Sequence, residues 1–139
     1  MHKAENHVGR LVEVKLASPI TADEVQEFVR ELMGVMARIP GKYVGVVDLL
    51  DAHVFPPAVT ETLIQLLSGA AARVERTAFL INESAIFALQ VERIIRSSNN
   101  DNRRAFRQPD DLVAWLAEAL TAEERVRLKT FMQATLAHK

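Results

Sequence analysis

Tyr43-Val44-Gly45-Val46-Val47-Asp48-Leu49-Leu50 is the stretch that decides the fold of this 139-residue chain. It is almost wholly apolar and mostly branched. A strand of that kind is buried on both faces, and such strands occupy the middle of parallel sheets. Asp51-Ala52-His53-Val54-Phe55-Pro56-Pro57 follows, and then an apolar helix over residues 57–73 that carries Val59, Leu63, Ile64, Leu66, Leu67 and Ala70. Proline suits the first helical position, where an N–H would have no intrahelical acceptor.

Working outward, Leu11-Val12-Glu13-Val14-Lys15-Leu16 alternates with period two after Leu11 and reads as a strand with one buried face near a sheet edge. Thr21-Ala22-Asp23-Glu24 has the form of a capping box, in which hydroxyl and carboxylate exchange hydrogen bonds across the first turn. Val25, Phe28, Val29, Leu32, Val35, Met36 and Ile39 then recur at helical spacing, and Pro40-Gly41 ends that helix. Downstream, Thr77-Ala78-Phe79-Leu80-Ile81 reads as a strand and residues 84–98 as a helix with Ile86, Phe87, Leu89, Val91, Ile94 and Ile95 apolar. The polar run 97–102 is a loop, and Arg104-Ala105-Phe106-Arg107 a short strand. Pro109 opens a helix with Asp110 and Asp111 in its first turn, where carboxylates complement the helix dipole. Thr121-Ala122-Glu123-Glu124 is a second capping box and starts a final helix over about residues 122–136, with Val126, Leu128, Phe131 and Met132 as its apolar stripe. Strands alternating with helices predict an α/β layer fold with a mainly parallel, four-stranded sheet. Residues 1–10 read as a polar lead or a poorly marked extra strand.

Composition narrows the function classes. A length of 139 residues predicts one domain, and 49% hydrophobic content is enough for a core without staples. No cysteine is present, which excludes disulfides, thiolate metal sites and a thiol nucleophile, and fits a cytoplasmic location. The polar N-terminus shows no signal peptide, and no run of 18 apolar residues predicts membrane insertion. A net charge of −1 gives no reason to expect nucleic acid as a partner.

The element order resembles the STAS domain, the fold of anti-sigma-factor antagonists, and especially its SpoIIAA-like branch. The resemblance covers roughly residues 11–120 and leaves 121–139 as an added C-terminal helix, packed on the domain or on a second subunit. Val46-Val47-Asp48-Leu49-Leu50 resembles the family's apolar strand ending in Asp-Leu, Val54-Phe55 the two apolar residues before its switch loop, and Thr77-Ala78-Phe79-Leu80-Ile81-Asn82 its next strand. Phe106 and Pro109-Asp110-Asp111-Leu112-Val113-Ala114-Trp115-Leu116 resemble its closing strand and helix. The family's switch loop typically reads Asp-Ser-Ser-Gly at a helix N-terminus, whereas this chain has Pro56-Pro57-Ala58-Val59 there. The resemblance therefore implies a regulatory, protein-interaction module with its phosphorylation switch removed, and no enzyme.

Three sets of side chains are candidates for function. The loop residues Asp51, His53, Phe55, Pro56, Pro57 and Thr60 form the expected partner-binding edge, at the strand end where open α/β sheets bind their ligands. Arg93, Arg96, Arg103, Arg104 and Arg107 crowd one segment and suggest a patch for an anion or an acidic partner. Asp48, Asp51 and His53 could together perform the general acid–base work of a hydrolase, although no nucleophile motif or third group supports it. The four histidines form no metal-ligand spacing, so neither metal nor cofactor is expected. A rival to the interaction module is a carrier of a small hydrophobic or lipid ligand, because SpoIIAA-like domains resemble CRAL-TRIO lipid carriers in topology. A carrier needs an enclosed apolar cavity of roughly 300 Å³ or more between helices and sheet. A homodimer would be one way to cover the last helix's stripe.

Overall fold

The computed structural model describes residues 1–98 and 101–137. Asn99 and Asn100 of the polar loop, and His138 and Lys139 at the end of the chain, lie outside them. The elements are β1 (His2–Asn6), β2 (Leu11–Leu16), α1 (Ala22–Met36), β3 (Tyr43–Asp48), α2 (Pro57–Gly69), a 3-10 turn (Ala71–Arg73), β4 (Val74–Leu80), α3 (Ala85–Ser97), β5 (Arg103–Phe106), α4 (Pro109–Ala117) and α5 (Ala122–Leu136).

Sheet order follows chain order, β1-β2-β3-β4-β5, with β2 to β5 parallel and β1 antiparallel to β2. The sheet thus has five strands, which corrects the four expected, and residues 1–10 are not merely a polar lead. Within β1 only Ala4 is buried, so this edge strand has no apolar alternation to announce it. Its placement rests on backbone pairing, from His2 opposite Leu16 to Asn6 opposite Val12. Glu31 of α1 accepts a hydrogen bond from the Ala4 N–H. Because β1 forms the edge, β2 is internal, and Glu13 is buried along with Leu11, Val12 and Val14.

Parallel neighbours in chain order need crossover helices, and right-handed crossovers place every such helix on one face. Accordingly α1, α2 and α3 cover one side, with Phe28, Leu63, Phe87 and Val91 packed on Val12, Val14, Val47 and Phe79. That arrangement leaves the opposite face bare. α4 and α5 cover it, with Leu112, Leu116, Leu128 and Met132 on Leu11, Val44, Val46, Ala78 and Leu80. β3 is buried along its whole length, as its composition requires. The last helix therefore lies on its own sheet: Leu128 and Met132 of the expected stripe are buried, together with Glu124 and Thr135, whereas Phe131 is half-buried and Val126 exposed.

Both capping boxes form, at Thr21 with Glu24 and at Thr121 with Glu124. Glu124 does more than cap: its Oε2 accepts from the Arg10 N–H at 2.7 Å. Gly9 makes this approach possible. It has φ 54°, and a Cβ there would collide with the Glu124 carboxylate.

Candidate functional site

The loop after β3 is fixed from three directions. Asn82, just beyond β4, donates through Nδ2 to the carbonyls of Leu50 (3.2 Å) and Ala52 (2.8 Å). Ser18 Oγ accepts from the His53 N–H at 3.0 Å. Gln90 on α3 accepts from the Phe55 N–H at 2.8 Å, and its Nε2 donates to the Phe55 carbonyl (3.0 Å) and to Thr60 Oγ1 (3.2 Å). Phe55 itself is buried, edge-on to Phe87 with centroids 5.5 Å apart. Pro56 precedes the helix and Pro57 is in its first turn, and α2 has no side-chain cap. Among the expected loop residues, then, Asp51, His53, Pro56 and Pro57 are exposed, Thr60 is half-buried, and Phe55 is an anchor facing inward.

The carboxylates at the strand end meet a cation. Asp48 is buried and accepts the Leu50 N–H at Oδ1 (2.9 Å). Lys15 on the neighbouring strand places Nζ 3.4 Å from Asp48 and 3.1 Å from Asp51. Burial opposes the charge on Lys15, but the two carboxylates outweigh it and hold its pKa above the ordinary lysine value. Asp48 and Asp51 thus converge on an ammonium, while His53 is exposed.

The five arginines do not form one patch. Arg93 and Arg96 are exposed on α3. Arg104 is exposed on the opposite sheet face, its guanidinium 5.2 Å from the Trp115 ring centre, with Arg76 at 4.8 Å from the same ring. Arg107 is exposed beyond β5, whereas Arg103 is only 3% exposed and donates from Nη2 to the Leu67 carbonyl at 2.8 Å. Alternation along β5 separates Arg103 from Arg104, and this corrects the expectation of a continuous patch.

An apolar surface that the sequence reading missed lies beside the loop. Ile86 (71% exposed) and Leu89 (68%) stand in solvent one turn apart on α3, and Val54 (47%) is exposed on the loop. Val54, Pro57, Ile64 and Leu89 line one groove together with Arg93. Leu89 also borders a second groove that includes Ala105, Phe106 and Arg107. The helical pattern of α3 carries apolar residues around more than one face, and only Phe87, Val91 and Ile94 are buried. That excess was the available signal.

Between the sheet and α1–α3 lies a cavity of about 70 Å³, lined by apolar side chains together with Tyr43, Gly45 and Thr77. It stands where a carrier would hold its ligand, but falls well short of the roughly 300 Å³ such a ligand needs. Among the described residues, Glu5, His7 and Glu13 bring potential metal-ligand atoms within 4.8 Å of one another. Both Glu13 oxygens, however, receive Arg127, with Nε at 2.6 Å and Nη2 at 2.7 Å.

No family model matches the chain, and no curated protein does. A solved structure does: an uncharacterized DUF3478-family protein from Shewanella loihica PV-4, described as having a SpoIIAA-like fold. The two align with a TM-score of 0.56 over 84% of this chain and 92% of that one. The fold is SpoIIAA-like. Identity is 14%, so the likeness speaks to the fold alone. In this SpoIIAA-like scaffold the loop between β3 and α2 carries Pro56-Pro57-Ala58 at the helix N-terminus, clamped by Gln90. Among the described residues, no helix is long and apolar enough to cross a membrane.

Proposed function

We propose that this chain is a non-enzymatic regulatory module that acts through protein–protein contact, at the edge formed by the β3–α2 loop and the exposed side of α3. The observation that carries this reading is the juxtaposition of a fixed loop with a solvent-facing apolar surface. Val54 and Leu89 are exposed in one groove, and Ile86 is exposed one turn before Leu89, beside a loop whose backbone Gln90 holds at both the N–H and the C=O of Phe55. A pre-ordered apolar edge costs little conformational entropy on docking, which favours binding. Pro57 and Ala58 leave no hydroxyl at the helix start, and Thr62 Oγ1 donates to the Ala58 carbonyl at 3.1 Å. The contact is accordingly constitutive, with no covalent switch in the loop. Partner protein is the expected ligand class, and the cytoplasm the expected compartment.

Site-specific photocrosslinking in the native cell tests the proposal. A crosslinker at position 89 should trap one protein at high yield, and a crosslinker at exposed Val126 on α5 should not. The trapped band should vanish with Ile86→Asp. Equal yields from both positions, or a band insensitive to Ile86→Asp, would sink the assignment. The cavity of about 70 Å³ gives the lipid-carrier alternative no advantage. With Leu128 and Met132 covered by the protein's own sheet, the stripe of α5 offers no argument for a dimer.

A further inference from the structure

Val12, Gly45 and Thr77 stand side by side across β2, β3 and β4, matched in register, and this row faces α1–α3. Gly45 contributes no side chain, so the row is hollow at its centre, and the cavity of about 70 Å³ lies over it. A Cβ at Gly45 would come 3.2 Å from Thr77 Cγ2 and 3.3 Å from its Oγ1. Gly45 is not one of the positive-φ glycines, so what glycine supplies here is space. Glycine inside a strand weakens it, and often marks a place where another group comes close.

The walls are almost wholly apolar, with Phe28, Leu63, Phe79, Val91 and Ile94 among them. Their polar end is closed on itself, because the Tyr43 hydroxyl meets both Arg103 and Thr77. A buried water needs roughly two to four polar partners, and these walls do not offer that many. Close-packed interiors hold few voids larger than a water, which takes about 10–15 Å³ on the same scale. A space several times that size, walled by hydrocarbon, suits an apolar occupant. It comes nearest to solvent at the half-buried Leu66, Leu67 and Ile95, on the C-terminal halves of α2 and α3. The buried Phe55 lines it as well, and Phe55 anchors the β3–α2 loop.

We propose that this hollow is a regulatory site for a small, uncharged, apolar molecule, whose binding steadies Phe55 and with it the β3–α2 loop. Size limits the class: an engineered void of about 150 Å³ admits benzene, so this one takes about two to four non-hydrogen atoms. Charge is excluded by the walls, which present no cation or carboxylate to it. The ligand lies between Gly45 on the sheet and Val91 and Ile94 on α3, and it packs against the inner side of the Phe55 ring. Opening of the loop then requires Phe55 to leave the ligand. The regulatory part rests on the reading of that loop as a docking edge, while the binding site stands without it.

Xenon under pressure serves as the probe, on the full chain with carbon-13 in its methyl groups. The expected result is a saturable shift of the methyl signals of Leu63, Val91 and Ile94, with those of Leu116 and Leu128 on the other face of the sheet unmoved. Hydrogen exchange over residues 52–58 should slow with occupancy, roughly tenfold at about ten times the dissociation constant. Gly45→Ala narrows the hollow from the sheet and Val91→Leu fills it from α3. Each should weaken xenon binding at least tenfold and remove its effect on loop exchange, and either variant decides the matter if the other does not fold. Propane should bind as xenon does. The absence of a saturable shift at those three residues overturns the proposal, as do shifts that persist in the folded variants. Loop exchange unchanged at saturation overturns it too, and so does tighter binding of octane than of propane, which would restore the lipid-carrier reading. None of these measurements involves a partner protein, so their failure is separate from any failure of the crosslinking at position 89.

Discussion

Gln90 binds Phe55 at both backbone groups, accepting from its N–H at 2.8 Å and donating to its carbonyl at 3.0 Å. One side chain on α3 thus does for the loop what a neighbouring strand does in a sheet. Phe55 is buried against Phe87 as a result, and the exposed Val54 is held next to Leu89.

Gln90→Ala should leave the part-buried Phe55 N–H and C=O without partners, at a cost of about 1–3 kcal/mol. Urea unfolding would read this as a lower midpoint. Hydrogen exchange should show faster exchange over residues 52–58 while β3 stays protected. Unchanged loop exchange would mean that Phe55 packing alone holds the segment.

Ile86→Asp with Leu89→Asp should change stability by no more than about 0.5 kcal/mol, because both positions are solvent-exposed. Partner crosslinking should be lost all the same. Stability is checked by urea titration of the double variant. A large loss of stability would mean that these side chains are covered in the folded protein, and the docking edge would have to be abandoned.

Arg127 clasps the buried Glu13 with two hydrogen bonds and joins α5 to β2. Arg127→Ala should cost about 3–5 kcal/mol, since it strands a buried carboxylate. Replacing both residues, Glu13→Leu with Arg127→Leu, should recover most of that loss, and a double-mutant cycle by denaturant titration measures it. If the single variant loses under 1 kcal/mol, Glu13 is being solvated from the α5 side.

Glu124 connects stability to pH. Burial raises its pKa, but hydrogen bonds from the Arg10 and Thr121 backbone N–H groups, with the Arg10 charge, more than reverse this and hold it below the usual carboxylate value. A folded pKa below the unfolded one stabilises the protein fully at pH above the unfolded value, and the gain is lost as pH falls through the folded value. Glu124→Gln should therefore be less stable than the unsubstituted protein at pH 7, and the gap should close as the pH drops below about 4. Denaturant titrations from pH 7 to 3 check this. A gap independent of pH would place the effect in shape rather than charge.

Arg103→Glu and Arg104→Glu should behave in opposite ways although the residues are adjacent. The first places a carboxylate in a buried site and should unfold the domain or cost more than about 3 kcal/mol. The second removes a cation from beside Trp115 and should cost about 1 kcal/mol or less. Circular dichroism melts of the two variants are enough, and similar melts would contradict the alternation of β5.

What was legible in the sequence was local. Residues 43–48 announce a strand buried on both faces because nearly every side chain is apolar. Thr21 with Glu24 and Thr121 with Glu124 announce helix starts because a capping box closes within four residues. Pro57 and Ala58 announce a loop without a hydroxyl because the residue types themselves say so.

The tertiary structure decided whatever depends on a distant partner. The strand His2–Asn6 is polar and exists because β2 offers it backbone groups, so no periodicity could reveal it. Arg103 is buried on the Leu67 carbonyl of α2 and Arg104 is exposed beside Trp115 of α4, because β5 sends alternate side chains to opposite faces, and how far each face is covered is not encoded in a run of arginines. Ile86 and Leu89 match the apolar pattern of α3, yet a helix packing on a sheet covers only one side. The hollow over Gly45 arises because three strands align Val12, Gly45 and Thr77 in one row, and the sequence separates those residues by about thirty positions at each step. Hydrogen bonding along the backbone and side-chain periodicity act over a few residues and can be read in order. Burial and pairing act across space, and they become definite only when the sheet has closed.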